Sequence, residues 1–121
     1  MKRVIALIAV ACLLSCATWQ AGMRKGLGAA ASGSEQAIGS SEVICKQVLQ
    51  SCIMAKENPC PALDKCLAIR RQIVRAAIVT QLTAMAGYLA VDVADKKKAQ
   101  EALAEALRLL ALIQQGLAAL R

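Results

Sequence analysis

Apolar residues recur with a helical period near the C-terminus of the chain. From Leu103 to Leu120 they follow one another at steps of three and four residues, while Glu101, Glu105 and Arg108 fall on the other side. This spacing places a single apolar stripe along an α-helix. The pattern therefore predicts an amphipathic helix over about 95–120.

Two further helices are predicted upstream. Apolar residues and cysteines share one face over about 42–57, with Ser41 as a plausible N-cap, and the prolines after Asn58 end this helix. A second apolar pattern runs over about 61–91, and Asp92 and Asp95 favour a new helix start rather than one helix over 61–120. We therefore expect an all-α fold, a disulfide-stapled antiparallel helical hairpin plus the C-terminal helix, forming a small three-helix bundle.

An uncharged segment of sixteen residues, AAIVTQLTAMAGYLAV, lies between Arg75 and Asp92. A transmembrane helix needs about twenty apolar residues, so this segment is short for a bilayer and is better interpreted as a buried bundle helix. Ala76, Thr80, Ala84 and Gly87 form a stripe of small residues. Such a stripe lets another helix approach closely, in water or in lipid.

The N-terminus has the pattern of a bacterial export signal. Lys2 and Arg3 precede an apolar run, Val4 to Leu14, and Leu13-Leu14-Ser15-Cys16 follows. This end of the chain resembles the lipobox signal of bacterial lipoproteins. The resemblance covers residues 1–16 and implies cleavage before Cys16 and lipidation of that cysteine; Ala17 after it favours outer-membrane sorting. The alternatives are cleavage after Ala17, giving a soluble exported protein, a lipobox ending at Cys12, and an uncleaved anchor.

The signal suggests a division of the chain into three parts. Residues 1–15 are the predicted signal peptide, and residues 16–41, rich in Gly, Ala and Ser, have the composition of a flexible tether. Residues 42–121 are the predicted helical domain. We expect an exported protein anchored by lipid in the cell envelope, facing the periplasm or the surface.

Four cysteines remain downstream of the signal. In an antiparallel hairpin, Cys45 and Cys66 lie at nearly matched distances from the turn, and so do Cys52 and Cys60. Two disulfides, Cys45–Cys66 and Cys52–Cys60, are therefore expected in an oxidising compartment. A zinc or redox site is the alternative, but the spacings are not those of zinc pairs or of C-x-x-C, and the chain has no His.

The remaining chemistry points to binding rather than catalysis. Without His the usual general base is absent, so we expect no enzyme and no cofactor. The chain carries a net charge of +7, and Arg70, Arg71 and Arg75 form a candidate docking patch for an acidic partner. Nucleic acid is a poor partner, because bases stack on aromatic side chains and the chain has one Trp, one Tyr and no Phe.

The leading hypothesis is a non-enzymatic envelope lipoprotein that binds another protein or assists an assembly. The alternatives are a membrane-acting or phage-type lipoprotein, for lysis or superinfection exclusion, and a self-assembling structural subunit. The membrane, through the lipid, and a protein of unknown identity are the expected partners, and a homo-oligomer is a further option.

Overall fold

Three helices make up the fold of this chain. The computed structural model describes the backbone of residues 2–121 and the side chains of Arg3 and of residues 19–121. Helix α1 spans Lys2–Met54, α2 spans Pro61–Asp92 and α3 spans Lys96–Leu120, and the described residues contain no strand. The all-α, disulfide-stapled three-helix bundle expected from the sequence is confirmed.

The helices run up, down and up. Leu27 of α1 packs against Gly87 of α2, and Cys45 is bonded to Cys66, so α1 and α2 are antiparallel. Gly87 also lies beside Ala102, whereas Ile73 lies beside Gly116, so α2 and α3 are antiparallel too. Consequently α1 and α3 are parallel.

The break predicted at 91–95 is confirmed. Asp95 is the N-cap of α3, and its side chain accepts a hydrogen bond from the backbone N–H of Lys98 at 3.2 Å. Pro61 opens α2, where a missing backbone N–H costs nothing because the first helical N–H groups have no partner within the helix.

The interpretation of residues 16–41 as a flexible tether is wrong, and so is the start of the first helix near residue 42. Helix α1 is continuous through this segment, and Ser41, expected as an N-cap, is buried in the middle of the helix. One face of this segment belongs to the core: five residues that recur at steps of three and four are fully or almost fully buried, namely Leu27, Ala30, Ser34, Ala37 and Ser41. The helical domain therefore includes the α1 residues from Trp19 onward.

Polar contacts also hold the start of this segment against the rest of the bundle. Gln20 donates a hydrogen bond from Nε2 to the carbonyl of Val91 at 3.2 Å, and Tyr88 donates from its hydroxyl to the carbonyl of Arg24 at 3.1 Å. Trp19 packs against the adjoining apolar cluster. The predicted lipidation site, Cys16, and the apolar run of the predicted signal peptide within 1–15 lie outside the described side chains.

Small side chains dominate the buried centre of the bundle. Of the stripe predicted in α2, Thr80, Ala84 and Gly87 are buried against the neighbouring helices, whereas Ala76 is partly buried and Ala77 is the fully buried residue at that level. The buried hydroxyls bond to their own helices: Ser34, Ser41 and Thr80 donate to carbonyls three or four residues earlier, each at 2.7 Å. These three buried hydroxyls therefore find their hydrogen-bond acceptors within their own helices.

Candidate binding surface

The cysteines pair as the hairpin geometry predicted. The Cα atoms of Cys45 and Cys66 lie 5.7 Å apart and those of Cys52 and Cys60 lie 6.2 Å apart, within the range that a disulfide bridges. Both bonds join α1 to the start of α2 at one end of the bundle. Cys45, Cys52 and Cys66 are buried, which is the environment of structural disulfides rather than of reactive thiols.

Glu57 lies close to the second disulfide. A carboxylate oxygen of Glu57 and the sulfurs of Cys52 and Cys60 fall within 4.8 Å of one another, a spacing compatible with a metal ion. The two sulfurs are bonded to each other, however, and a zinc ligand must be a free thiolate. In the disulfide form this group therefore has no zinc-binding thiolate.

The three arginines of the candidate docking patch do not form one surface. Arg71 and Arg75 are exposed on the outward side of α2. Arg70 turns toward α1 and lines a groove of about 270 Å³ with Glu42, Lys46 and Leu67. Its Nε atom is buried there and has no hydrogen-bond partner among the described residues.

The outward side of α2 is the surface that the sequence interpretation missed. Ile78, Leu82, Met85 and Leu89 recur at steps of four, three and four residues and are 51%, 60%, 61% and 67% exposed. These four residues are called the α2 face below. The uncharged segment 76–91 was expected to be buried, but its buried positions are mostly small residues, together with Val91 at its end.

Side chains of α2 are thus sorted by size. The inward positions need small residues because the neighbouring helices approach closely: a Cβ at Gly87 would lie 2.7 Å from a Leu27 methyl carbon and 3.1 Å from Ala102 Cβ. Ile73 and Val91 are buried, whereas the large aliphatic residues between them, from Ile78 to Leu89, are left on the outside. A surface helix normally places charged or polar residues there, so an uninterrupted outward apolar stripe marks a contact surface.

Charged residues delimit the α2 face at both ends. Arg71 and Arg75 precede it, and Asp92 follows it in an exposed ion pair with Arg24 at 3.1 Å. Arg71, Arg75, the four apolar residues and Asp92 continue one seven-residue pattern along α2. Such a pattern is typical of a helix that packs against another helix.

Ionised residues of α3 lie beside the same stretch of α2. The register set by Gly87 with Ala102 and by Ile73 with Gly116 brings Glu105 and Arg108 to the level of residues 81–84. Glu105 accepts a hydrogen bond from Arg108 Nε at 2.9 Å. This bond and the attraction between the two charges hold the pKa of Glu105 below its ordinary value. They also raise the pKa of Arg108. Both groups are therefore charged at neutral pH.

A second exposed feature lies at the end of the bundle nearest the N-terminus. Basic side chains are concentrated there on α1 and α3, where the Lys96 ammonium also sits 5.9 Å from the centre of the Trp19 ring. The exposed basic residues of this end are Arg24, Lys25, Lys96, Lys97 and Lys98. Asp92 and Asp95 offset only part of this charge.

Two helices among the described residues are long and apolar enough to span a bilayer by length and composition. They are α2 and α3, and 33% and 17% of their most apolar windows are buried inside the bundle.

Comparison of the chain with protein-family models, with curated proteins and with solved structures returned no match. The surfaces are therefore interpreted from their own geometry and chemistry.

Proposed function

We propose that this chain is a non-enzymatic cell-envelope lipoprotein whose bundle acts as a protein-binding or assembly module. The observation that carries the proposal is the α2 face. Four large apolar side chains at helical spacing are more than half exposed, while Ala, Ser, Thr and Gly occupy many of the buried positions. A bundle built only for its own stability gains by burying the larger side chains, since buried apolar area stabilises at about 25 cal/mol per Å².

The envelope location is supported by two features. The lipobox-like sequence ends at Cys16, only three residues before Trp19, which packs on the bundle. The two disulfides are typical of an oxidising compartment. A lipid on Cys16 would hold the bundle close to the membrane, and the basic end formed by Arg24, Lys25 and Lys96–Lys98 would face anionic headgroups, where each basic residue contributes about 1 kcal/mol.

A membrane-acting function is the second candidate, and the apolar length of α2 and α3 favours it. The charges argue against insertion of the whole bundle. Glu105 and Arg108 lie level with the middle of the uncharged segment 76–91, so a bilayer around that segment would also surround these ionised groups. A charged side chain at the bilayer centre costs about 2.5–3.5 kcal/mol on scales from membrane-insertion experiments.

In vivo photo-crosslinking of the full chain in a bacterial host tests the protein-binding function. A photoreactive amino acid replaces Leu82 on the α2 face or, as a matched control, Leu107 on α3, which is 49% exposed. We expect protein adducts at position 82 and few at position 107. Adducts to lipid alone at position 82, or equal protein adducts at both positions, would contradict the proposal.

The anchor is tested separately by mass spectrometry of the mature N-terminus. We expect a lipidated Cys16, and accumulation of the unprocessed chain when lipoprotein signal peptidase is inhibited with globomycin. Cys16→Ser should abolish both the lipid and the sensitivity to the inhibitor. An N-terminus at Thr18 without lipid would instead indicate soluble export.

A further inference from the structure

The pattern of α2 is complementary to itself when a second copy of the helix runs in the opposite direction. A two-fold axis midway between Thr83 and Ala84 brings Ile78 opposite Leu89 of the second copy. The same axis brings Leu82 opposite Met85. All four of these side chains are exposed and available for such contacts.

The charges at the two ends of the α2 face obey the same symmetry. The axis that pairs Ile78 with Leu89 also pairs Arg75 with Asp92 of the second copy, because Arg75 precedes Ile78 by three residues and Asp92 follows Leu89 by three. Each copy would thus contribute one arginine and one aspartate, giving two ion pairs that close the apolar layers at both ends. Asp92 can keep its bond to Arg24, since a carboxylate accepts several hydrogen bonds.

We propose that the partner of the α2 face is a second copy of this chain, packed with the two α2 helices antiparallel. The proposal rests on the protein-binding function and names its partner. A parallel arrangement pairs Arg75 with Arg75 and Asp92 with Asp92, and like charges across an interface disfavour that arrangement. A two-fold dimer uses the same surface on both copies, which requires a self-complementary pattern of this kind.

Charge reversal tests the ion pairs. The full chain carries a photoreactive amino acid at Met85, and the fraction of chain crosslinked to itself is measured in intact cells. We expect Arg75→Glu or Asp92→Arg to lower this fraction about tenfold, as reversal of a close interfacial charge pair does. The double variant R75E/D92R should restore it to within about twofold, because the pairs re-form with opposite polarity.

The double variant also separates the interface from the fold. Asp92→Arg places two arginines together at Arg24, and this conflict within one chain remains in the double variant. Recovery of the crosslink therefore reports the contact between copies. A non-reducing gel showing both disulfides checks that each variant is folded. Unchanged crosslinking in the folded R75E variant, or no recovery in the double variant, would overturn the proposal.

The orientation is tested by moving the photoreactive amino acid to Ile78. An antiparallel dimer attaches it near Leu89 of the second copy, whereas attachment near Ile78 of the second copy indicates a parallel pair and overturns the proposal. Adducts with a different protein at both positions, and none between copies, would refute the second copy but leave the protein-binding function. Adducts to lipid alone would refute both.

Discussion

Gly87 shows most directly that residue size determines the packing of this bundle. A Cβ at this position would meet the terminal carbons of Leu27, which is fully buried, and the Cβ of Ala102, which cannot rotate away. We expect Gly87→Ala to lower the free energy of unfolding by about 1–3 kcal/mol, since overpacking outweighs the better helix propensity of Ala. Thermal or urea unfolding of the two chains measures the difference.

Gly22 provides the matched control for this substitution. It lies within α1, as Gly87 lies within α2, but a Cβ there would meet nothing within 4 Å. Gly22→Ala should therefore raise the free energy of unfolding by about 0.5–1 kcal/mol. Equal effects of the two substitutions would contradict the close approach of α1 and α3 to Gly87.

Ala94 makes the opposite case, because glycine should fit better than the residue present. It follows α2 with a φ of 57°, in the left-handed region, while Asp95 donates its backbone N–H to the carbonyl of Ala90 at 2.8 Å. Left-handed backbone costs an L-residue about 1–2 kcal/mol, so we expect Ala94→Gly to stabilise the protein by about 1 kcal/mol. Ala104 is the control, because it is exposed to solvent and lies in the interior of α3, where Ala104→Gly should destabilise the protein by about 1 kcal/mol. Chemical denaturation measures both changes. Free-energy changes of the same sign would contradict the left-handed backbone at Ala94.

At the scale of elements, the sequence predicts best where a local signal has one physical meaning. Pro61 marks the start of α2 because it has no backbone N–H. Asp95 marks the start of α3 because its side chain accepts a hydrogen bond from a backbone N–H. The start of α1 was missed because Gly, Ala and Ser are typical both of linkers and of closely packed helices. The buried positions from Leu27 to Ser41 recur at steps of three and four residues, and this spacing is the signal that distinguishes a packed helix from a linker.

The two disulfides differ in the length of chain that they close. Cys45–Cys66 spans 21 residues and Cys52–Cys60 spans 8. In the chain-entropy model the longer loop contributes about 3.3 kcal/mol and the shorter about 2.5 kcal/mol. We expect C45S/C66S to lower the free energy of unfolding more than C52S/C60S does, as measured by urea denaturation under oxidising conditions. The reverse order would show that native-state contacts at the tip of the hairpin outweigh loop closure.

At the scale of the whole molecule, the outward α2 face could not be derived from the composition of 76–91. A run of mixed small and large apolar residues fits a buried helix as well as a helix that is buried on one side only. The difference depends on how many neighbours surround the helix, and the missing neighbour was α1 between Trp19 and Ser41. Once those residues are part of the bundle, the small side of α2 is covered and the large side remains outside.

Removal of the segment once interpreted as a tether tests this architecture. A chain beginning at Ala17 keeps Trp19 and the five buried positions from Leu27 to Ser41, whereas a chain beginning at Glu42 loses them and uncovers Ala84 and Gly87 of α2. We expect the first chain to unfold cooperatively in circular dichroism. We expect the second to lose cooperative unfolding, because α2 and α3 then pack against only the last part of α1, residues 42–54. A shorter chain as stable as the longer one would restore the tether interpretation. Leu27→Ala in the longer chain should lie between the two, lowering the free energy of unfolding by about 2–5 kcal/mol through the cavity it leaves.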